Sequence, residues 1–241
     1  MTSALAFESV SLNYSAHTVI HDLNAAIPDG TVAGIVGLNG AGKTTLIKAV
    51  LGLREVSAGG VYVFGNAAGT AEAKRCLSYI PENFQPPELL NGYEFLYFAS
   101  QFYHYAVDEQ TILKYGNMLG MTDAVLSRRV RTYSKGMRQK LGIMGAVLTN
   151  ARCLVLDEPM AGLDPAARIA VKDMLDMAHK QGKTIVLSSH ILVDMDEICD
   201  TLLVIAENKL RFHGSPGELK QQNAANNLEK GFLALVGDGA A

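Results

Sequence analysis

GLNGAGKTT, residues 37–45, is the stretch on which the fold turns. It fits G-x-x-x-x-G-K-[ST] through Gly37, Gly42, Lys43 and Thr44. That spacing has chemical content. Small residues let successive backbone N–H groups curl around phosphate oxygens, and a helix opening at the lysine presents its positive end to them. Lys43 adds a point charge for the terminal phosphates, and Thr44 a hydroxyl for Mg²⁺. The pattern demands a strand before it and a helix after it, and both are present. TVAGIVG (31–37) is a continuous apolar run of the kind a doubly covered parallel strand shows. KTTLIKAVLGL (43–53) has helical spacing through Leu46, Ile47, Val50 and Leu51. The loop implies nucleotide binding.

Outward from the loop, three more buried-strand runs follow: LSYIP (77–81), CLVLD (153–157) and KTIVLSS (183–189). Helical patterns separate them, such as PAARIAVKDMLDMAHKQG (165–182), with proline near its start and glycine at its end. Alternating strands and helices predict an α/β fold with a mostly parallel sheet. Ahead of the loop, ALAFESVSLNYS (4–15) and TVIHDLNAAI (18–27) read as strands of an antiparallel β part over residues 1–30, closed by the turn PDG at 28–30. TLLVIAENKLRFHG (201–214) reads as a hairpin turning at 207–209. SPGE (215–218) is a capping box with proline first, opening a helical tail over 215–241 in which QQNAANN (221–227) is a short linker.

From 83 to 150 the signals are helical only, which predicts a helical subdomain inserted into a single 241-residue domain. Its first helix carries Tyr93, Phe95, Tyr97, Phe98, Phe102, Tyr103 and Tyr105. Phe95, Phe98, Phe102 and Tyr105 share a face and are expected to form that subdomain's core, leaving the other aromatics for a partner groove.

Composition narrows the class. Half the residues (49%) are hydrophobic and net charge is −3, enough apolar content for a core and no global field toward nucleic acid. The three cysteines, Cys76, Cys153 and Cys199, are scattered and odd in number, which argues for a reducing compartment over a disulfide or zinc framework. No run of eighteen apolar residues and no signal-peptide layout appears. The expectation is a cytoplasmic protein held at a membrane, if at all, by something other than its own span or a covalent anchor.

Three further residues carry chemistry. Asp157 ends a buried strand, where a carboxylate is costly unless compensated, and it faces the crevice of the phosphate loop; that suits a water-mediated Mg²⁺ ligand. Glu158 follows directly, placed as a general base toward an attacking water. His190, closing VLSSH (186–190), falls where a γ-phosphate would lie. A lone histidine is more often a surface or core residue; its strand-end position favours a functional one.

YSKGMRQK (133–140) is the remaining motif. It reads either as the basic start of an amphipathic helix or as an anion-binding turn. With the other elements in register, the chain resembles the ATP-binding cassette family over nearly its whole length, specifically single-cassette, exporter-type transporter ATPases. The resemblance makes 37–45 the Walker A loop, with Asn39, Gly40, Ala41, Gly42, Lys43, Thr44 and Thr45 on the phosphates. CLVLDE (153–158) becomes Walker B, with Asp157 on Mg²⁺ and Glu158 catalytic. GLDP (162–165), with Asp164, becomes the D-loop, and His190 the switch histidine. Tyr14 stands where the family stacks an aromatic on adenine, although a strand aromatic in the core is the competing reading.

Two motifs depart from the family. Its signature Leu-Ser-Gly-Gly-Gln is here Tyr133-Ser134-Lys135-Gly136-Met137, keeping the hydroxyl of Ser134, the close approach at Gly136 and a helix N-terminus beneath them. In YIPENF (79–84), Glu82 replaces the glutamine that contacts Mg²⁺ and the attacking water, with Gln85 as the alternative in a shifted register. The resemblance implies ATP and Mg²⁺ as cofactors, a transmembrane permease as partner, and a second cassette whose signature turn caps the γ-phosphate in a two-fold, head-to-tail dimer. A basic patch for nucleic acid (Arg128, Arg129, Arg131, Lys135, Arg138, Lys140) is weighed below this, because the chain is acidic and Tyr133 is the one interleaved aromatic. A small-molecule phosphotransferase would share the phosphate loop but leave His190 and GLDP unexplained.

Overall fold

The computed structural model describes residues 3–14 and 17–237; the parts of the expected strand and tail at 15 and 238–241 lie outside them. β1 (Ser3–Tyr14) and β2 (His17–Pro28) pair antiparallel, and β3 (Val32–Val36) runs into α1 (Lys43–Val50). Next come β4 (Ala58–Val63), β5 (Asn66–Ala67), α2 (Ala71–Arg75) and β6 (Leu77–Ile80). The helical segment holds α3 (Gly92–Phe102), α4 (Glu109–Met118), α5 (Asp123–Leu126), a 3₁₀ turn at Val130–Thr132 and α6 (Lys135–Val147). β7 (Cys153–Asp157), α7 (Pro165–Lys180), β8 (Thr184–Ser188), α8 (Leu192–Ile198), β9 (Thr201–Ala206), β10 (Lys209–Gly214), α9 (Pro216–Gln222) and α10 (Leu228–Gly237) complete the chain.

The strands form two sheets. One is antiparallel in the order β2-β1-β4-β5; the other runs β10-β9-β3-β8-β7-β6 and is parallel except for the β9–β10 hairpin. Alternate residues of the second sheet face opposite cores. Ala33, Ile35, Cys153, Val155, Leu203 and Ile205 turn toward the antiparallel sheet, while Val32, Val36, Leu154, Leu156, Leu202 and Val204 turn toward the helices. Both faces are therefore dry, which is why these strands read as unbroken apolar runs. β4 and β5 have no counterpart in the strand pattern read from the sequence. The Gly59–Gly60 pair at the start of β4 and the two-residue length of β5 leave almost no period-2 signal to read.

The aromatic face of α3 is a correction. Phe95 is buried against α6, where an added Cβ at Gly145 would stand 3.1 Å from its ring. Phe98, Phe102 and Tyr105 are not core: they are 47%, 70% and 45% exposed. Phe98 and Phe102 pack edge-on, 4.8 Å apart, and both line a cavity of about 730 Å³ between α3, α6 and β6. Periodicity placed these rings on one face of the helix. The helix ends at Phe102 and His104 turns left-handed at φ 50°, so Tyr105 leaves that face, while Phe98 and Phe102 open onto the cavity that α6 also lines.

Candidate functional site

The loop between β3 and α1 is shaped by glycines. At Gly37 a Cβ would lie 2.5 Å from the Ile205 carbonyl oxygen. Gly42 is left-handed at φ 102° and opens α1 with no side chain capping the helix. The orphan N–H groups of a first helical turn then point at the loop's concave side. Lys43 is 8% exposed, and its ammonium donates to the carbonyls of Gly37 (2.8 Å) and Leu38 (3.3 Å). Ala41 instead packs against the core.

Across the crevice, Asp157 at the end of β7 is 2% exposed and fully partnered. The Thr44 hydroxyl donates to its Oδ2 at 3.0 Å, and the Ser188 hydroxyl to its Oδ1 at 2.5 Å. Ser188 also accepts from the Glu158 backbone N–H at 3.0 Å. Ser188 belongs to no motif of the sequence. Its signal is register: Ser188 pairs with Asp157 where β8 and β7 end together. Burial, with the Asp157 carboxylate adding to it, pushes the Tyr79 hydroxyl up to about 12, so it stays protonated beside this strand.

Glu158 sits at φ 50°, a left-handed conformation that costs a non-glycine residue of order 1–3 kcal/mol and persists only where the surroundings impose it. The turn aims its carboxylate at His190, whose Nδ1 lies 2.8 Å from Oε2. Glu158 is 90% buried at the side chain while His190 is 57% exposed, so the pair has one dry and one wet end.

One cavity of about 490 Å³ gathers most of the expected residues: Tyr14, Asn39, Gly40, Gly42, Lys43, Thr44, Thr45, Glu82, Asp157, Glu158 and His190. His17, Val19 and Asn208 also line it, contributed by the antiparallel sheet and the β9–β10 turn, and none carried a motif. Gln85 is exposed and does not line it. Tyr14 is 44% exposed, not core, and the Arg54 guanidinium lies 3.7 Å from its ring centroid. Ser134, Gly136 and Asp164 stand elsewhere. Ser134 caps α6, its hydroxyl accepting from Met137 N–H at 3.2 Å, and Asp164 caps α7 through Ala167 N–H at 2.9 Å. The two turns adjoin: a Cβ on Gly136 would meet Leu163 Cδ2 at 3.3 Å.

A family profile described as ABC transporter matches residues 20–161. The chain belongs to that family. Its ABC relatives include an uncharacterised ABC transporter ATP-binding protein of Synechocystis, 36% identical over 82% of this chain and 56% of that protein, so the match spans little more than half the relative's length. The lantibiotic transport ATP-binding protein SrtF of Streptococcus pyogenes is 30% identical over 95% of both chains. Among solved structures, one described as the ATP binding subunit of an ABC transporter superposes with a TM-score of 0.87 at 29% identity, covering 97% of this chain and 99% of that one. The ABC fold accounts for both sheets and for the helical segment inserted between β6 and β7.

Proposed function

We propose that this chain binds and hydrolyses MgATP as the ATP-binding subunit of a membrane transporter of the exporter kind. The observation that carries the reading is the convergence of Lys43, the Thr44–Asp157 pair and the Glu158–His190 pair on one cavity. Thr44 Oγ1 and Asp157 Oδ2 are hard oxygen donors of the type Mg²⁺ takes, so the residues fit that ion. When bound, Mg²⁺ would neutralise phosphate charge.

The chain's own groups do the rest. Lys43 and the N–H groups at the start of α1 hold the β- and γ-phosphates and offset charge that develops as the terminal bond breaks. Glu158 takes the proton of an in-line water; His190, in its imidazolium form, donates Nδ1–H to Glu158 Oε2 and Nε2–H to the γ-phosphate. Glu82 supplies a carboxylate toward the ion and the attacking water. Tyr14, backed by Arg54, offers its free face to the adenine. Ser134, Gly136 and Asp164 serve the nucleotide of a second copy, because they lie outside the cavity that holds Lys43.

No helix among the described residues is long and apolar enough to cross a membrane. We assign the transmembrane route to a separate permease and the chain to that permease's cytoplasmic face. The likeness to a lantibiotic transport protein supports the exporter direction. The exposed Phe98–Phe102 pair is the surface we assign to the permease. Phe102→Glu is expected to abolish co-purification with that permease while soluble ATP hydrolysis stays at the parent rate; retained co-purification would refute the surface. For the chemistry, Glu158→Gln should lower steady-state phosphate release by roughly 10²–10⁴-fold, the range for losing a positioned base. Unchanged release would remove Glu158 from the mechanism.

A further inference from the structure

α8 carries three acids in seven residues, Asp194, Asp196 and Glu197, and each is met by a base from a flanking helix. Asp194 is 1% exposed. A carboxylate so placed stays charged only if its charge is compensated. Arg168 of α7 grips Oδ2 through Nε at 3.1 Å and Nη2 at 2.5 Å, and Lys172, one turn on, approaches Oδ1 at 3.3 Å. Lys172 also bonds Glu197. Burial works against its ammonium, yet the bonds to Glu197 and Asp194 hold its pKa above the ordinary lysine range. From the other side, Lys220 of α9 holds both oxygens of Asp196 at 2.7 and 3.0 Å.

This cluster joins two functional turns. α8 begins two residues after His190, and its N-cap, Ile191, has no side-chain cap bond. The His190 ring is mostly exposed, so packing does little to fix it. Its backbone spans the turn between β8 and α8, where Ile191 N–H donates to the Ser189 hydroxyl at 3.0 Å and the Ile191 carbonyl accepts from Met195 N–H of α8 at 3.4 Å. On α7, Arg168 lies one turn past Asp164 and its N–H donates to the Asp164 carbonyl at 3.0 Å. We propose that Asp194 is a positioning residue, clamping α8 to α7 so that the His190 turn and the Asp164 turn move as one body. The inference rests on the reading of His190 and Glu158 as the catalytic pair. A purely structural ion cluster would add stability and leave turnover alone.

The test uses the full chain with Asp194→Asn, which keeps shape and removes charge, beside the charge-preserving Arg168→Lys. MgADP affinity by calorimetry, kcat for ATP and the His190 imidazole NMR signals are measured on each. The clamp predicts that Asp194→Asn keeps MgADP affinity within about twofold, loses about tenfold in kcat, as small misplacements of reacting groups do, and shifts the His190 signals. Arg168→Lys should retain most of the parent kcat. A folded Asp194→Asn protein with parental kcat and unmoved His190 signals overturns the clamp. Should Asp194→Asn fail to fold, Lys172→Met removes one base and leaves Arg168; a kcat loss of about threefold with the same NMR shift is expected, and no change overturns it. His190→Ala separates the two claims. If it keeps parental turnover, the catalytic reading of His190 fails, while the His190 signals of the Asp194 and Lys172 variants still decide the clamp.

Discussion

Two helices of this chain begin on turns suited to anions, and they are finished in opposite ways. α1 starts from Gly42, left-handed at φ 102°, with no side chain over its first N–H groups. α6 starts from Ser134 in extended conformation, and the serine hydroxyl already accepts from the Met137 N–H. Every helix begins with four N–H groups lacking intrahelical acceptors. In α1 they open into a cavity shared with Lys43, Asp157, Glu158 and His190; in α6 the Ser134 turn lies outside that cavity, next to Leu163. Under the proposed function, the difference means that the first end receives phosphate within its own chain. The second has its cap bond made within the chain and, under the same proposal, serves a phosphate that another molecule brings.

Substituting the two N-cap residues sharpens the contrast. Gly42→Ala places a Cβ at positive φ and 2.8 Å from Val19 Cγ1. The left-handed conformation costs an L-residue about 1–2 kcal/mol, so the loop's phosphate-ready form is depopulated and ATP affinity should fall about five- to thirtyfold by calorimetry. Ser134→Ala should do the reverse. It removes a cap, lowering stability by about 1 kcal/mol in urea unfolding, and leaves the ATP affinity of the isolated chain unchanged. Equal affinity losses in both variants would break the comparison.

Most of the nucleotide cavity was legible in the sequence because its chemistry is local. A phosphate loop needs particular residues at fixed spacing, and a buried run ending in Asp157–Glu158 or in His190 announces where a parallel strand delivers side chains. What could not be read was set by assembly. Ser188 matters only because β8 and β7 end in register, and His17, Val19 and Asn208 reach the cavity from segments far away in sequence. Phe98 and Phe102 share a helical face with the buried Phe95, yet are 47% and 70% exposed and open onto a cavity that α6 also lines. β4 and β5 escaped because glycine and brevity erase periodicity. Tyr14 and Glu82, each read with a competing alternative, both line the cavity; Gln85 does not.

The most direct measurement is light scattering on purified Glu158→Gln protein with and without MgATP. A site completed by the Ser134 turn of a second copy predicts a monomer of 25.9 kDa without nucleotide and a doubling of that mass with MgATP. Protein that binds ATP and stays at 25.9 kDa would contradict pairing between identical chains, and would leave the basic turn at 133–140 as the start of an ordinary amphipathic helix.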